Sequence, residues 1–469
     1  MARNASLRAA GKPRRSLFVC LVLVTALGAL DQTVVATALP AIVTDLGTPW
    51  RASWIVTAYV LALTAAMPAV GALGDRFGRR LVLVAAIAVF VAASAACGVA
   101  GGVESLAAAR LAQGIGGAGL LTLPQAVVAD AVPARERAAY LGPLGAVFSV
   151  ATVVSPLLGG WLTDAASWRW IFWLNLPLGV AAAALVLAAV PAAASRRGRG
   201  RTFDTVGAGL LAAASAGLVL VTLTVAESGW TARTCAAALA TALLATIAVR
   251  WEHRVADPVL PVRILARRPV SLCCLLALVG GIGLFGVLAY VPTWIQGAYA
   301  TSATTAGLML LPVTAGIVVG MNGSGRAVRR RGHWRPYPIA GCALSALATA
   351  TLAVFSRGTL PLPLVAALLA QLGLGTGLFM QVVVVVAQDA SDRTATGAVT
   401  AGMAFTREIG VLAGGTALGA VAGHTLTADH AAYGAAFTTV FATAAACFAC
   451  GLAVALRMPA HTLASARTS

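Results

Sequence analysis

The sequence predicts an all-α polytopic membrane protein with fourteen transmembrane helices, arranged as two six-helix bundles and an inserted helix pair. The first observation is the composition: 59% of the 469 residues are hydrophobic and only 10% are charged, whereas soluble domains carry about 25% charged residues. The second is a series of long apolar runs, since one transmembrane helix needs about 20 apolar residues. The third is an internal repeat that relates the two halves of the chain.

Apolar runs broken by clusters of Arg, Gly and Pro define the predicted spans. The fourteen spans cover residues 17–39, 52–73, 81–100, 105–129, 138–163, 170–190, 205–226, 232–250, 269–296, 304–321, 338–356, 361–386, 395–420 and 432–456. The resulting segments are an N-terminal tail (1–16), an N-terminal six-helix bundle (17–190), a basic linker (191–204), an inserted helix pair (205–250), a loop (251–268), a C-terminal six-helix bundle (269–456) and a second tail (457–469).

The basic residues predict the orientation, because Lys and Arg are enriched in cytoplasmic loops. With this threading, 27 of the 33 Lys and Arg residues fall on the side of the N terminus and four on the opposite side, while Arg110 and Arg407 lie inside spans. We therefore expect both termini in the cytoplasm and the chain in a bacterial inner membrane. The excess charge indicates topology and attraction to anionic lipid head groups, not nucleic-acid binding.

Spans 4 and 12 carry similar sequences, which indicates two related halves. Residues 111–129 match residues 369–387 at nine of nineteen positions, including Gln113 with Gln371. Chance similarity is the alternative in a chain this rich in Ala, Gly and Leu. If the match is a true repeat, two six-helix bundles flank spans 7 and 8. Duplicated halves around a midplane site are typical of alternating-access transporters.

Ionisable residues inside the spans are functional candidates, because a charge in hydrocarbon costs at least about 2.5–3.5 kcal/mol. At 1.5 Å per residue, Asp31 lies about 13 Å from the outer end of span 1 and Arg110 about 9 Å from the outer end of span 4. Their similar depth permits pairing. Asp31 is predicted either to load and release a proton, or to be a structural acid that binds helix ends or a substrate cation.

Arg407 and Glu408 form a second charged pair, about 12 residues into span 13. Adjacent helical residues point about 100° apart and do not face each other. We therefore expect the two side chains to serve different partners, such as the cavity and a neighbouring helix. Proton coupling and a structural ion pair with other spans are both open for this pair.

The turn after span 2 has a distinctive sequence. It reads Gly71-Ala72-Leu73-Gly74-Asp75-Arg76-Phe77-Gly78-Arg79-Arg80. Glycines permit a tight turn and close helix approach, and Asp75 is suited to cap the following helix or to pair across the bundle interface. The loop resembles the signature loop of the major facilitator superfamily. This resemblance implies a gate that holds the two halves together in the outward-facing state, made by Gly71, Gly74, Asp75, Arg76, Gly78 and Arg79.

Further segments resemble the fourteen-span drug:proton antiporter family of that superfamily. They are residues 30–40, 106–117, 168–177, 203–207 and 252–265. The resemblance implies a proton-transfer role for Arg110. Span 5 departs from the antiporter pattern, with Ala151 and Ser155 in place of glycines. Small residues still permit close helix packing there, and the predicted packing motif is Gly142, Ser155, Pro156, Gly159 and Gly160.

Aromatic and amide side chains at the expected mouth and cavity are the substrate-binding candidates. They are Trp54, Tyr59, Gln125, Phe285, Tyr290, Trp294, Gln296 and Gln381. Trp and Tyr at span ends also form the interface belt of membrane proteins, which is the alternative for each of them. Since Asp31 and Glu408 are the acids well inside the spans, a neutral or cationic hydrophobic compound is expected in preference to an anion.

The sequence carries no enzyme or cofactor motif. A nucleotide-binding loop requires GK[ST], but the single lysine, Lys12, precedes Pro13. The zinc motif HExxH and the nucleophile elbow GxSxG are also absent. Cys447 and Cys450 have CxxC spacing without a nearby histidine, so packing is expected there and not metal binding.

We therefore expect a monomeric secondary transporter without a cofactor, which exports hydrophobic drugs or an antibiotic in exchange for protons. Its two bundles would rock about a central cavity, with protons and membrane lipids as its other partners. A proton-coupled importer of a small nutrient and a non-transporting membrane sensor are the alternatives.

Overall fold

The computed structural model describes residues 15–46, 53–191, 203–301, 303–356, 360–391, 395–423 and 430–459. The described residues are almost entirely helical, which confirms the predicted all-α fold class. Most of the two predicted tails and of the basic linker lies outside these ranges.

Seven helices form the first half of the molecule. They are α1 (Arg15–Leu46), α2 (Ser53–Phe77), α3 (Arg79–Gly98), α4 (Val103–Ala131), α5 (Ala134–Ala165), α6 (Arg169–Trp173) and α7 (Asn175–Ala189). The short α6 and the longer α7 together occupy the predicted span 170–190. Between α2 and α3, Gly78 has φ 94°, a left-handed conformation that favours glycine.

Two helices, α8 (Thr205–Ser228) and α9 (Ala232–Arg254), form the inserted pair. Asp204 caps α8 by accepting a hydrogen bond from the Gly207 N–H at 2.8 Å. Only 11% of the α9 span is buried. The second helix of the pair therefore lies at the periphery of the molecule.

The second half contains the remaining helices. They are α10 (Val262–Leu265), α11 (Val270–Gly280), a π-helical turn (Gly281–Phe285), α12 (Gly286–Tyr299), α13 (Ala303–Leu308), α14 (Leu310–Arg331), α15 (Pro336–Val354), α16 (Leu362–Asp389), α17 (Thr396–Gly423) and α18 (His430–Leu456). The π turn joins α11 and α12 into one continuous helix. At this turn Gly281 approaches α17 closely, because a Cβ there would lie 2.8 Å from the Val411 nitrogen.

Twelve helices within the described ranges are long and apolar enough to cross a membrane. They correspond to all predicted spans except 5 and 13. The positions of those two spans are occupied by α5 and α17, which are long helices outside this set. The membrane character of the chain is therefore clear, and the count of fourteen spans stays a prediction.

The two halves meet along two helix pairs, α5 with α14 and α2 with α17. Glycines permit both approaches. A Cβ on Gly142 of α5 would lie 2.7 Å from the carbonyl oxygen of Met321 on α14, and one on Gly71 of α2 would lie 2.8 Å from the carbonyl oxygen of Gly397 on α17. The inserted helix α8 packs against α2 and α17, so the pair lies beside one of the contacts between the halves.

Candidate functional site

A buried ion pair lies in the first half, between α1 and α4. Arg110 Nη1 is 2.6 Å from Asp31 Oδ2, and both side chains are 0% exposed. Gln113, one turn after Arg110, donates through Nε2 to Asp31 Oδ1 at 2.9 Å and accepts from Arg110 Nη1 at 2.7 Å. The structure thus brings together the two residues whose similar depth in the sequence permits a pair.

Two further helices complete this polar cluster. Asn175, at the start of α7, donates to Asp31 Oδ1 at 2.8 Å. Ser94 of α3 accepts hydrogen bonds from Gln113 at 2.7 Å and from Asn175 at 3.3 Å. Asp31 therefore accepts from three side chains. These bonds offset part of the cost of burying a carboxylate in an apolar bundle.

Aromatic rings hold Arg110 from the other side. Its Cζ atom lies 4.1 Å from the centroid of the Tyr59 ring and 5.9 Å from that of Phe172, which gives cation–π contacts. Its Nε and Nη2 atoms have no hydrogen-bond partner among the described residues. Tyr59, a predicted substrate-binding residue, is fully buried, and in this conformation it contacts the ion pair.

Three members of the cluster carry little sequence signal. Gln113 is marked only by its position in the repeat, and Asn175 only by its place in the segment 168–177. Ser94 belongs to none of the motifs. Polar residues inside otherwise apolar spans are themselves a signal, because each needs a partner in the membrane. That criterion selects Gln113, Ser94 and Asn175, although it does not say which residues they contact.

The second charged pair, on α17, corrects a prediction. Arg407 Nη2 is 2.8 Å from Glu408 Oε1, so these adjacent residues do pair with each other. The long arginine side chain spans the angle between the two positions, which the directions of the Cα–Cβ bonds alone do not predict. Glu408 is 4% exposed and Arg407 15%. Arg407 Cζ also lies 5.4 Å from the ring of Phe148 on α5, in the other half.

Asp75 joins the two halves at one end of the molecule, here called the Asp75 end. Its Oδ1 accepts from the N–H of Gly397 at 3.1 Å and its Oδ2 from the N–H of Ala398 at 2.7 Å. These N–H groups belong to the first turn of α17, where they lack helical partners and the helix dipole favours an acid. Arg79 forms an ion pair with Asp75 and contacts Asp130 at 3.1 Å. Asp75 was expected either to cap the following helix or to pair across the interface between the bundles. The contact that it makes to α17 lies across that interface.

Arg135 forms a second contact between the halves at the Asp75 end. It lies in the first turn of α5 and donates to the carbonyl oxygens of Arg329 and Arg330 at 3.0 and 2.7 Å. These carbonyls belong to the last turn of α14, where the helix dipole favours a positive charge. The Asp75 end is therefore closed by two complementary contacts, an acid on a helix N-terminus and a base on a helix C-terminus.

The other residues of the predicted gate have supporting positions. A Cβ on Gly74 would lie 2.9 Å from Arg79 Nη1, so glycine leaves room for the arginine that pairs with Asp75. Arg76 Cζ lies 5.1 Å from the centroid of the Phe77 ring.

The predicted packing motif of α5 contacts two different neighbours. Gly142 faces α14 in the other half, whereas a Cβ on Gly159 would lie 2.8 Å from a backbone oxygen of α1. Ser155 is buried, and its hydroxyl donates at 2.6 Å to a carbonyl one turn earlier in α5. A Cβ on Gly160 would meet nothing within 4 Å among the described residues. The side chain of Pro156 lies outside the described part of the chain.

A small cavity lies beside Arg407. It has about 20 Å³ of space for water, enough for one molecule. Its lining residues are Gln125, Ala277, Met380, Gln381, Val384, Met403, Ala404 and Arg407. Gln381 is 5% exposed, and its Oε1 atom has no hydrogen-bond partner in the described ranges. Two predicted substrate-binding residues, Gln125 and Gln381, therefore line one cavity between the halves.

The remaining substrate-binding candidates lie elsewhere. Trp294 is fully buried and donates to a backbone carbonyl at 2.6 Å, so it contributes to packing in the second half. Trp54 is 47% exposed at the start of α2, which fits the interface belt. Tyr290 is partly buried and Gln296 is exposed, while the side chain of Phe285 lies outside the described part.

Comparison with known proteins covers most of the chain. The family model of the Major Facilitator Superfamily matches residues 21–415. The chain is 38% identical over 410 residues to an uncharacterized MFS-type transporter of Mycobacterium tuberculosis, an alignment that covers 87% of this chain and 59% of that protein. It is 32% identical over 417 residues to the multidrug transporter protein MdtP of Bacillus subtilis, covering 87% of this chain and 75% of that one.

Among solved structures, the human organic anion transporter MFSD10 has a similar fold. The TM-score is 0.68 at 17% sequence identity, and the match covers 95% of this chain and all of that one. This likeness concerns the fold. The chain spans 59% of the length of the mycobacterial relative.

Proposed function

This chain belongs to the major facilitator superfamily, and from that premise we propose that it exports hydrophobic compounds across the membrane in exchange for protons. The family consists of transporters, so the chain is a membrane transporter and not an enzyme. The Bacillus subtilis relative is named a multidrug transporter, which supports drugs or an antibiotic as the cargo.

The observation that carries proton coupling is the buried Asp31 cluster. Asp31 is 1% exposed and is paired with Arg110 in this conformation. Protonation neutralises the carboxylate and removes its attraction to the guanidinium, while the cation–π contact with Tyr59 still holds Arg110. A proton therefore changes the strength of contacts between α1 and α4. A buried carboxylate whose partners change with the conformation is suited to exchange a proton with one side of the membrane at a time.

The closed Asp75 end supports alternating access as the mechanism. With the orientation that the basic loops indicate, this end faces the cytoplasm, so the conformation is closed to the cytoplasm. The two six-helix halves, 17–190 and 269–456, would rock about their contacts and open the Asp75 end to admit cargo. The chain would act as a monomer in a bacterial inner membrane, with both termini in the cytoplasm.

The experiment uses inverted membrane vesicles, in which respiration acidifies the interior. An exporter accumulates a hydrophobic fluorescent cargo inside such vesicles, whereas a proton-coupled importer does not. We expect Asp31→Asn to abolish proton-driven accumulation, because asparagine cannot exchange a proton. The matched control is Asp45→Asn on the same helix, since Asp45 is 46% exposed and pairs with Arg169 at 2.6 Å.

Three outcomes separate the alternatives. Full accumulation by Asp31→Asn would contradict the coupling role of this acid. Cargo that leaves acidified vesicles in place of entering them would indicate import. A wild-type chain that is correctly inserted but moves none of a broad panel of compounds would favour the sensor.

A further inference from the structure

The two acids that lie well inside the predicted spans are both paired with arginines. Asp31 is 0% exposed and is held by Arg110 at 2.6 Å, and Glu408 is 4% exposed and is held by Arg407 at 2.8 Å. A cationic cargo would have to displace an arginine from a buried carboxylate and leave that arginine without its partner. Such uncompensated buried charge is strongly unfavourable. These two acids therefore do not favour a cationic cargo.

The cavity beside Arg407 has a basic residue and no acid among its lining residues. Arg407 is the single charged residue among its eight lining residues, and the others are two glutamines, two methionines and three aliphatic residues. The Arg407 Nε atom has no hydrogen-bond partner in the described part of the chain. Its Nη2 atom is occupied by Glu408. The guanidinium beside the cavity thus has an unused donor.

The position of Arg407 is well defined. Glu408 holds one edge of the guanidinium, and the Phe148 ring of the other half lies 5.4 Å from its Cζ. Gln381 is 5% exposed in the same cavity, and its Oε1 atom is unpartnered. Because a flip of the amide exchanges its oxygen and nitrogen, Gln381 can present its Nε2–H group as a donor to an anionic ligand. Methionines Met380 and Met403 provide adaptable apolar walls. A few fixed polar groups beside adaptable apolar side chains are the usual composition of a small-molecule site.

We propose that this cavity binds the acidic end of the cargo, and that the cargo is a hydrophobic weak acid bearing a carboxylate or phenolate oxygen. The oxyanion accepts hydrogen bonds from Arg407, and Gln381 contacts the same end of the molecule. The apolar body lies along the methionines once the halves separate, because the present space of about 20 Å³ holds only one water. This inference deepens the proposed export function and rests on it for the direction of transport.

The test measures binding to the purified full chain in nanodiscs without a proton gradient. Three probes share one aromatic body and differ in charge: 9-anthracenecarboxylate, 9-anthracenemethanol and (9-anthracenylmethyl)trimethylammonium. We expect the carboxylate to bind at least about tenfold more tightly than the trimethylammonium, because a charge-assisted hydrogen bond is made with only one of them. Equal or tighter binding of the trimethylammonium probe would overturn the proposal.

Variants assign the preference to Arg407. Arg407→Gln alone leaves Glu408 unpaired, so the informative variant is the double change Arg407→Gln with Glu408→Gln, which keeps the site neutral. It should weaken carboxylate binding about ten- to hundredfold and leave the alcohol nearly unchanged. Arg169→Gln is the matched control. Arg169 also pairs with an acid, Asp45 at the C-terminal end of α1, but it does not line the cavity. A double variant that folds and keeps its preference for the carboxylate would contradict the assignment.

Failure of this inference differs from failure of the proposed function. Carboxylate binding that depends on Arg407, without proton-driven movement of any probe in vesicles, supports the site and contradicts proton-coupled export. Proton-driven export of the trimethylammonium probe, without export or binding of the carboxylate, supports the function and contradicts the site.

Discussion

Asp75→Asn should shift the molecule towards a conformation that is open at the Asp75 end. The carboxylate accepts from two backbone N–H groups of α17, at 3.1 and 2.7 Å, and pairs with Arg79. Asparagine keeps one acceptor oxygen and no charge. Hydrogen bonds to a charged group contribute about 1.5–3 kcal/mol each and neutral ones about 1 kcal/mol, so replacing two charged bonds by one neutral bond costs the closed state about 2–5 kcal/mol. This corresponds to a shift of about thirtyfold to a few thousandfold in the equilibrium between conformations.

Pulsed electron paramagnetic resonance measures this shift directly. Spin labels at Phe77 and Arg330 in a cysteine-free background report the separation of the halves, since both side chains are exposed at the Asp75 end. We expect a longer distance to dominate in Asp75→Asn. Asp130→Asn is the matched control, because Asp130 contacts the same arginine, Arg79, at 3.1 Å but is 48% exposed. An unchanged distance distribution in Asp75→Asn would refute the role of this acid in closure.

Two further predictions concern packing, one at the inserted helix pair and one between the halves. Glu252 is fully buried, and its Oε2 accepts from the Leu260 N–H at 3.1 Å. Glu252→Ala should therefore lower stability by about 1–3 kcal/mol, seen as a lower thermal unfolding midpoint in detergent, while Glu252→Gln keeps an acceptor and should lose less. Gly142→Val should weaken transport and the contact between α5 and α14, because its Cβ would lie 2.7 Å from the Met321 carbonyl oxygen. Gly160→Val on the same helix is the control and should change transport little, since its Cβ would meet no atom of the described residues within 4 Å.

Individual residues show how far the sequence leads towards the candidate site. The depth of Asp31 and Arg110 within their spans was enough to permit a pair, because depth follows from counting residues along a helix. The partners Asn175 and Ser94 could not be assigned in this way. They lie on other helices, and 144 positions separate Asn175 from Asp31.

The contact between Arg407 and Glu408 on α17 could not be predicted from the sequence. Helix geometry places adjacent residues on different faces, yet the flexible side chain of Arg407 reaches Glu408. Rotamer choice depends on the surroundings, here the small cavity and the Phe148 ring. Tertiary packing likewise decides that Gln381 lines this cavity, whereas Trp294 packs in the second half.

The membrane class, the helical fold, the approximate spans and the turn that carries Asp75 could all be predicted from the amino-acid sequence. These properties follow from the hydropathy, length and charge of each local segment. The folded molecule was needed to show which helix end Asp75 caps, which side chains surround Asp31, and that Asp31 and Glu408 are each paired with an arginine. A buried charge needs a partner close in space, and the packing of helices that are distant in sequence selects that partner.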